Sequence, residues 1–401
     1  MFRIEGGAEA GYGKVVEAFQ ANFDDHGEVG AAFSLYVDGS KVVDVWAGTA
    51  DVREGVRWSE DTLQLVFSTT KGATAACAHV LAQRGELDVD APVATYWPEF
   101  AQAGKESVTV RQLLCHKAGL PVVDRRVSLD EALGWEPVIR ALEVQEPVWE
   151  PGTAHGYHAL TYGWLVGEVV RRISGRSLGR FFAKEIAEPL GLELWIGLPK
   201  EEQRRCARLI PFERPTSGPA AKAYEMFFGP ETLTGRALNL GTAFSLDETW
   251  NEPKVRAAEI PAANGVTNAQ SLARFYASLI GEVDGVRILS KEQMAAARET
   301  QTSGPDRVLY AETTFGLGFM TTGPFSPYGG PQCFGHAGAG GSLGFADPQN
   351  GFAFGYVMNR MQANLSGDPR TIGLTRAVYD CIGEPDLAPA PPSVAPAPLV
   401  P

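Results

Sequence analysis

Strand-like sequence at both ends of the chain, with helical sequence between, constrains the fold more than any other feature. The stretch AAFSLYVDGSKVVDVWAG alternates small or apolar with polar residues around an Asp-Gly turn, which predicts two antiparallel strands over residues 32–48. Strand character returns near 313–320 and in GFAFGYVMNRM, residues 351–361. Residues 69–300 are mainly helical in pattern. We therefore expect one sheet built from both chain ends, with the helical region inserted between them.

The same pattern predicts two subdomains and a tail. Residues 1–68 and 301–383 would form a discontinuous α/β domain around the antiparallel sheet, and residues 69–300 a mainly helical domain. A length of 401 residues agrees with two packed units. Residues 384–401 are rich in Pro and Ala, which predicts a disordered or surface-draped tail.

Charge and composition narrow the expected partners. The formal net charge of −13 repels nucleic-acid phosphates and anionic lipid, so we expect neither nucleic acid nor membrane as a partner. The N-terminal sequence lacks an export pattern and no apolar run is long enough to span a bilayer, which predicts a cytoplasmic protein. The five cysteines and six histidines follow no metal-ligand spacing, so no metal and no cofactor is expected. Oligomeric state stays open.

The tetrapeptide Ser68-Thr69-Thr70-Lys71 lies where an apolar strand-like run meets the start of a helix. Residues three apart share a helical face, so the Lys71 amine can reach the Ser68 hydroxyl. A serine becomes a nucleophile when a base takes its proton, and a lysine kept neutral by burial can do so. The same tetrapeptide also occurs by chance, with Ser68 as a helix cap and Lys71 as a solvated residue.

Two further segments favour the catalytic interpretation of that tetrapeptide over a chance occurrence. Tyr157 follows a Pro-Gly loop and precedes a long amphipathic helix, and His336-Ala337-Gly338 precedes a strand. In this order the three segments resemble the S-x-x-K, Y-x-N and K-T-G elements of the serine β-lactamase and penicillin-binding-protein superfamily. VTVRQLLCHKAGLP resembles its LLxHxSGL loop. The resemblance extends over about residues 10–380 and points to the class C β-lactamase-like carboxylesterases called family VIII esterases.

This resemblance implies an α/β (α+β) fold, in which an antiparallel sheet flanked by helices carries an inserted mainly helical domain. It implies Ser68 as the acylated nucleophile, with Lys71 and Tyr157 as the groups that move its proton. It also implies that the backbone N–H groups of Ser68 and Ala339 form the oxyanion hole.

Two departures from the family pattern bear on the substrate. Tyr157-His158-Ala159 lacks the asparagine that holds the amide of a β-lactam or peptide, which favours esters. His336 replaces the lysine of K-T-G, a substitution that family VIII esterases also show, and with Gly338 it would orient Tyr157 or the substrate.

The sequence therefore predicts a serine carboxylesterase that hydrolyses short- to medium-chain carboxylic esters through an acyl-enzyme. Its expected partner is a small-molecule ester. Four alternatives use the same scaffold: a β-lactamase, a D-amino-acid peptidase or other amide hydrolase, an acyltransferase, and a non-catalytic binding protein.

Other candidate residues receive weaker predictions. Residues 340–344 spell G-x-S-x-G, but a strand rather than a helix follows Ser342 and no histidine follows His336, so this segment is predicted to be the far wall of the pocket. His116 is expected to hold a loop through hydrogen bonds. Four side chains of a predicted loop over the site either line the pocket or pack in the core: Tyr224, Met226, Phe227 and Phe228.

Overall fold

A ten-stranded antiparallel sheet assembled from both ends of the chain forms the centre of the fold. The computed structural model describes residues 2–383, so the predicted tail at 384–401 lies outside the described residues. The strands are β1 (Glu5–Ala8), β2 (Gly30–Val37), β3 (Ser40–Asp51), β4 (Val56–Arg57), β5 (Gln64–Leu65), β6 (Leu194–Trp195), β7 (Val266–Thr267), β8 (Thr302–Pro305), β9 (Glu312–Phe315), β10 (Met320–Thr321), β11 (Phe334–Ala337), β12 (Leu343–Asp347) and β13 (Phe352–Met358). The order in the large sheet is β1-β3-β2-β13-β12-β11-β10-β9-β8, with β4 paired to β3.

Helices cover both faces of this sheet, and most of them lie in sequence between β5 and β8. They are α1 (Gly13–Asp25), α2 (Thr70–Gln83), α3 (Val110–Leu114), α4 (Leu129–Leu133), α5 (Glu136–Val144), α6 (Thr161–Ser174), α7 (Leu178–Phe182), α8 (Glu188–Leu190), α9 (Gly218–Phe228), α10 (Leu233–Asn239), α11 (Pro253–Ala257), α12 (Ala269–Ile280), α13 (Lys291–Arg298) and α14 (Pro369–Ile382). A π-helical turn spans Ala183–Ala187, and short 3-10 turns occur at Val93–Thr95, Pro98–Phe100, Lys200–Arg205 and Glu248–Asn251. None of the helices between residues 2 and 383 has the length and apolar character needed to cross a bilayer.

The side chains of β13 show why helices pack on both faces. Toward α1 and α14 the strand presents large apolar side chains, Phe352, Phe354, Tyr356 and Met358. Toward α12 it presents Ala353, Gly355 and Val357. A Cβ on Gly355 would lie 2.4 Å from the carbonyl oxygen of Ala269, so the missing side chain lets α12 approach the strand closely. This period-two alternation builds an antiparallel sheet between two helical layers, which confirms the predicted fold.

The predicted strands and helices are present, with two additions. The hairpin expected in residues 32–48 is β2–β3, and the helix expected after Ser68 is α2. Strands β5, β7 and β6 form a second, three-stranded sheet that the sequence did not predict. The predicted loop over the site contains α9 and α10 instead. The subdomain division stays a prediction, and α12, from the middle region, packs on the large sheet.

A buried ionic network joins the two ends of the chain behind the glycine segment 338–341. Arg370 has no exposed side-chain surface and donates to Glu28 at 2.7 Å, to Asp368 at 2.8 Å and to the backbone oxygen of Gly340. Breaking a buried pair leaves an uncompensated charge, which is more costly than losing an exposed pair.

We predict that Arg370→Met lowers the free energy of unfolding by about 3–5 kcal/mol, measured by urea denaturation, because Glu28 and Asp368 lose their cation. The control is Lys184→Met, which breaks the exposed Lys184–Glu188 pair and should change stability by less than about 1 kcal/mol. Equal losses in the two variants would contradict the prediction.

Candidate active site

Ser68 lies in a strained turn at the start of α2. Phe67, the residue before it, has a left-handed φ of 44°, which is unusual for a bulky side chain. One helical turn further, the Lys71 amine is 3.1 Å from the Ser68 hydroxyl. It also donates to the backbone oxygens of Ala159 at 2.7 Å and Ala262 at 3.0 Å. The expected contact between Ser68 and Lys71 is therefore present, and two backbone carbonyls fix the amine.

Burial controls the charge of Lys71. The side chain has no exposed surface, and burial lowers the pKa of Lys71 well below its ordinary value. A neutral amine has two N–H groups and one lone pair. Since the oxygens of Ala159 and Ala262 can only accept, they take the two N–H groups, and the lone pair is left facing the Ser68 hydroxyl. This arrangement can remove a proton from Ser68.

Tyr157 and His336 add two further polar side chains to the site beside Lys71. The Lys71 amine lies 4.7 Å from the centre of the Tyr157 ring, and the Tyr157 hydroxyl is 3.5 Å from Nε2 of His336. Nδ1 of His336 is 2.7 Å from the oxygen of Ala337, so it carries the hydrogen and Nε2 faces Tyr157 as an acceptor. Burial lowers the pKa of His336 to about 3, and the ring is therefore neutral near pH 7.

Burial also acts on Tyr157. It raises the pKa of the Tyr157 hydroxyl well above its ordinary value, while hydrogen bonding with Ser68 acts in the opposite direction and the charge of Asp306 adds to the rise. Tyr157 is thus held as the neutral phenol, which can give a proton to a strongly basic oxygen and recover it from a neighbour.

Ser68 and Ala339 line one pocket, and their backbone N–H groups are the predicted oxyanion donors. Within residues 2–383, neither of them donates to a backbone oxygen among the loop and turn hydrogen bonds. Next to Ala339, a Cβ on Gly338 would lie 2.2 Å from the oxygen of Val66, so glycine is required for the approach of these two segments. Gly338 packs behind the pocket, and its predicted role in orienting substrate stays a prediction.

The pocket in front of Ser68 is apolar, and its atom-free space, which includes open solvent at the mouth, is about 460 Å³. Among its lining residues only Ser68 and Tyr157 have a hydroxyl group, and none has a charged side chain. The other lining residues are Phe67, Ala159, Leu160, Leu238, Leu246, Trp250, Ala263, Leu309, Met320, Phe325, Ala339 and Leu365. Such a pocket suits an uncharged, apolar substituent.

The remaining candidates lie outside this pocket. Ser342 is buried, and its hydroxyl donates to the oxygen of Val66 at 2.9 Å, which agrees with a supporting position. His116 holds the Tyr157 loop, as expected, because it accepts from the backbone N–H groups on both sides of Tyr157. Helix α9 has no buried residue and Met226 is 70% exposed, so its aromatic residues neither fill the core nor line the pocket.

Sequence reasoning missed three groups at this site. The carbonyl groups of Ala159 and Ala262 belong to the backbone, so their role cannot be predicted from the residue types at these positions. Asp306 accepts a hydrogen bond from the backbone N–H of Tyr157, although 149 residues separate the two in sequence. The only local sign of Asp306 is a Pro-Asp pair, which is common in turns.

Known proteins resemble this chain over most of its length. The sequence profile of a family described as Beta-lactamase matches residues 14–377. The Esterase/beta-lactamase LipL of Mycobacterium tuberculosis (strain ATCC 25618 / H37Rv) is 36% identical over 375 residues, which cover 90% of this chain and 84% of LipL. A solved family VIII carboxylesterase shares 38% identity with a TM-score of 0.84, over 94% of this chain and 100% of that one. EstA from Arthrobacter nitroguajacolicus Rue61a shares 34% identity with a TM-score of 0.85, over 95% of this chain and 98% of EstA.

Proposed function

This chain belongs to the beta-lactamase family of serine hydrolases, and on that premise we propose that it is a serine carboxylesterase acting on short- to medium-chain esters through an acyl-enzyme on Ser68. One observation carries the proposal: two backbone carbonyls occupy the N–H groups of a buried lysine, and the serine hydroxyl is its third neighbour. The similarity to esterases over almost the whole chain supports carboxylesterase activity.

In the proposed reaction, Lys71 takes the proton of Ser68 as the serine oxygen attacks the ester carbonyl. The negative oxygen that forms lies between the N–H groups of Ser68 and Ala339. The bond between the carbonyl carbon and the alcohol oxygen then breaks. Tyr157 gives its proton to the leaving alkoxide and recovers a proton from Lys71. Water next enters, gives a proton to Lys71 along the same path, and attacks the acyl carbonyl. The bond to the Ser68 oxygen then breaks, Lys71 returns the proton to that oxygen, and the carboxylic acid leaves. In the resting enzyme His336 accepts a hydrogen bond from Tyr157 and so orients the phenol before its proton goes to the leaving oxygen.

The charges at the site favour esters over β-lactams. A β-lactam carries a carboxylate near the scissile bond, and the neutral His336 stands where other members of the superfamily place a lysine. Ala159 offers no side-chain amide to bind the substrate's amide group. A β-lactamase remains the second candidate, because LipL is named both an esterase and a β-lactamase.

A panel of esters and one lactam tests the proposal. We predict that kcat/KM for p-nitrophenyl butyrate exceeds that for nitrocefin by on the order of 10²-fold, since the lactam lacks two polar contacts worth about 1–3 kcal/mol each. Intact-mass analysis of the acylated protein should show one butyryl adduct, and peptide mapping should place it on Ser68. Nitrocefin turnover equal to or above ester turnover would instead favour the β-lactamase.

A further inference from the structure

We propose that Asp306 is a positioning residue that holds Tyr157 in place between the helical region and the sheet; this inference rests on the function proposed above. Asp306 lies between β8 and β9 and is 2% exposed. A buried carboxylate is unfavourable unless it is well hydrogen-bonded, so its contacts need an explanation.

Four uncharged groups donate to the Asp306 carboxylate. One oxygen accepts from the backbone N–H of Tyr157 at 3.1 Å, and from those of Val308 and Leu309 at 2.8 Å each. The other accepts from the hydroxyl of Thr313 at 3.1 Å. The same oxygen therefore connects the segment that carries Tyr157 with Leu309, which lines the pocket in front of Ser68.

Two further hydrogen bonds join the same segments. The backbone N–H of Arg307 donates to the oxygen of His155 at 3.1 Å. The Thr313 hydroxyl is committed to Asp306 as a donor, so Nε2–H of His155 donates to Thr313 at 2.9 Å. On its other side the Tyr157 loop is held by His116. Tyr157 is thus fixed through the backbone from two directions, and Asp306 supplies the contact to its own N–H.

This placement matters because the Tyr157 hydroxyl must meet both Lys71 and the leaving oxygen. A displacement of about 1 Å at a reacting group lowers the rate on the order of 10²-fold. The acceptor position of the carboxylate oxygen, rather than its charge, accounts for the contacts with Tyr157, Val308 and Leu309.

Asp306→Ala is expected to lower kcat for p-nitrophenyl butyrate on the order of 10²-fold, with KM changed by less than about threefold. Asp306→Asn should keep kcat within about tenfold of the native protein, since its amide oxygen accepts from the same N–H groups. Equal losses in Asp306→Ala and Asp306→Asn would overturn the positioning role and favour the charge.

Asp347 provides a matched control away from the site. It is also a buried carboxylate that accepts from backbone N–H groups, those of Gln349 and Asn350, and from the hydroxyl of Tyr379. Asp347→Ala should lose stability as Asp306→Ala does, measured by thermal unfolding, and keep kcat within about threefold. A comparable loss of kcat in Asp347→Ala would show that the effect of Asp306→Ala is only structural.

A double-mutant cycle with Tyr157→Phe separates this inference from the proposed function. If Asp306 acts through Tyr157, Asp306→Ala lowers kcat no further in the Tyr157→Phe background. Full activity of Tyr157→Phe would overturn the proposed role of Tyr157. An inactive Tyr157→Phe with an active Asp306→Ala, or fully additive losses, would overturn the inference alone.

Should Asp306→Ala fail to fold, Asp306→Glu, which displaces the carboxylate by one methylene, must show the loss of kcat, and full activity there would overturn the inference.

Discussion

Replacing Ser68 with alanine is expected to lower kcat/KM for p-nitrophenyl butyrate on the order of 10⁴-fold or more. Apart from the phenol of Tyr157, Ser68 supplies the only hydroxyl group among the residues that line the pocket. The acyl adduct seen by intact-mass analysis should disappear in the same variant. Steady-state hydrolysis and adduct mass are two independent readouts of one event, the formation of the acyl-enzyme.

Ser342→Ala is the matched comparison, since Ser342 lies within the G-x-S-x-G string typical of other serine esterases. The Ser342 hydroxyl donates to Val66 and is within 3.3 Å of the Thr69 hydroxyl, so its loss should lower stability by about 1 kcal/mol. We expect kcat to stay within about tenfold and the adduct to remain on Ser68. An adduct that persists in Ser68→Ala and is absent in Ser342→Ala would reverse the assignment.

The sequence predicted those parts of the fold and site that depend on local periodicity. Helical spacing of three residues is enough to bring Ser68 and Lys71 together, and the contact is present at 3.1 Å. The Asp-Gly turn predicted β2–β3, and the strand character of residues 351–361 predicted β13. The sequence order around Ser342 is not that of a strand followed by a helix, which is why a nucleophile was not predicted there. Of the segment predicted to be the far wall, the neighbouring Ala339 lines the pocket in front of Ser68, whereas residues 340–344 do not.

The parts that the sequence did not predict depend on long-range contacts. Strands of two residues, such as β5 and β7, are too short to show a period. The carbonyl groups that hold Lys71 come from two separate segments, and backbone groups leave no mark on residue type. The apolar residues of α9 have the composition of a core helix, yet none of them is buried. The roles of Ser68, Lys71 and Tyr157 remain predictions that rest on the family resemblance and this geometry.

Lys71→Met is the second variant with a large expected effect. Methionine keeps the length and burial of the side chain and removes the lone pair, so kcat should fall on the order of 10³-fold. In the native protein kcat/KM should rise with pH as Lys71 loses its proton. Because burial lowers the pKa of Lys71 well below its ordinary value, that rise should be complete far below the range typical of lysine, about pH 10.4. The residual activity of Lys71→Met should not show this rise of kcat/KM with pH.

Lys105→Met is the control that makes the Lys71 result specific. Lys105 is also fully buried, it donates to the backbone oxygens of Glu143 at 3.0 Å and Gln145 at 2.7 Å, and burial lowers its pKa to about 8. Both substitutions remove an amine from two carbonyls, so both should destabilise the fold, measured by urea denaturation. Only Lys71 has a serine hydroxyl as its third neighbour, so a large loss of kcat in Lys71→Met alone assigns the effect to that contact, and equal losses in both would remove Lys71 from the reaction.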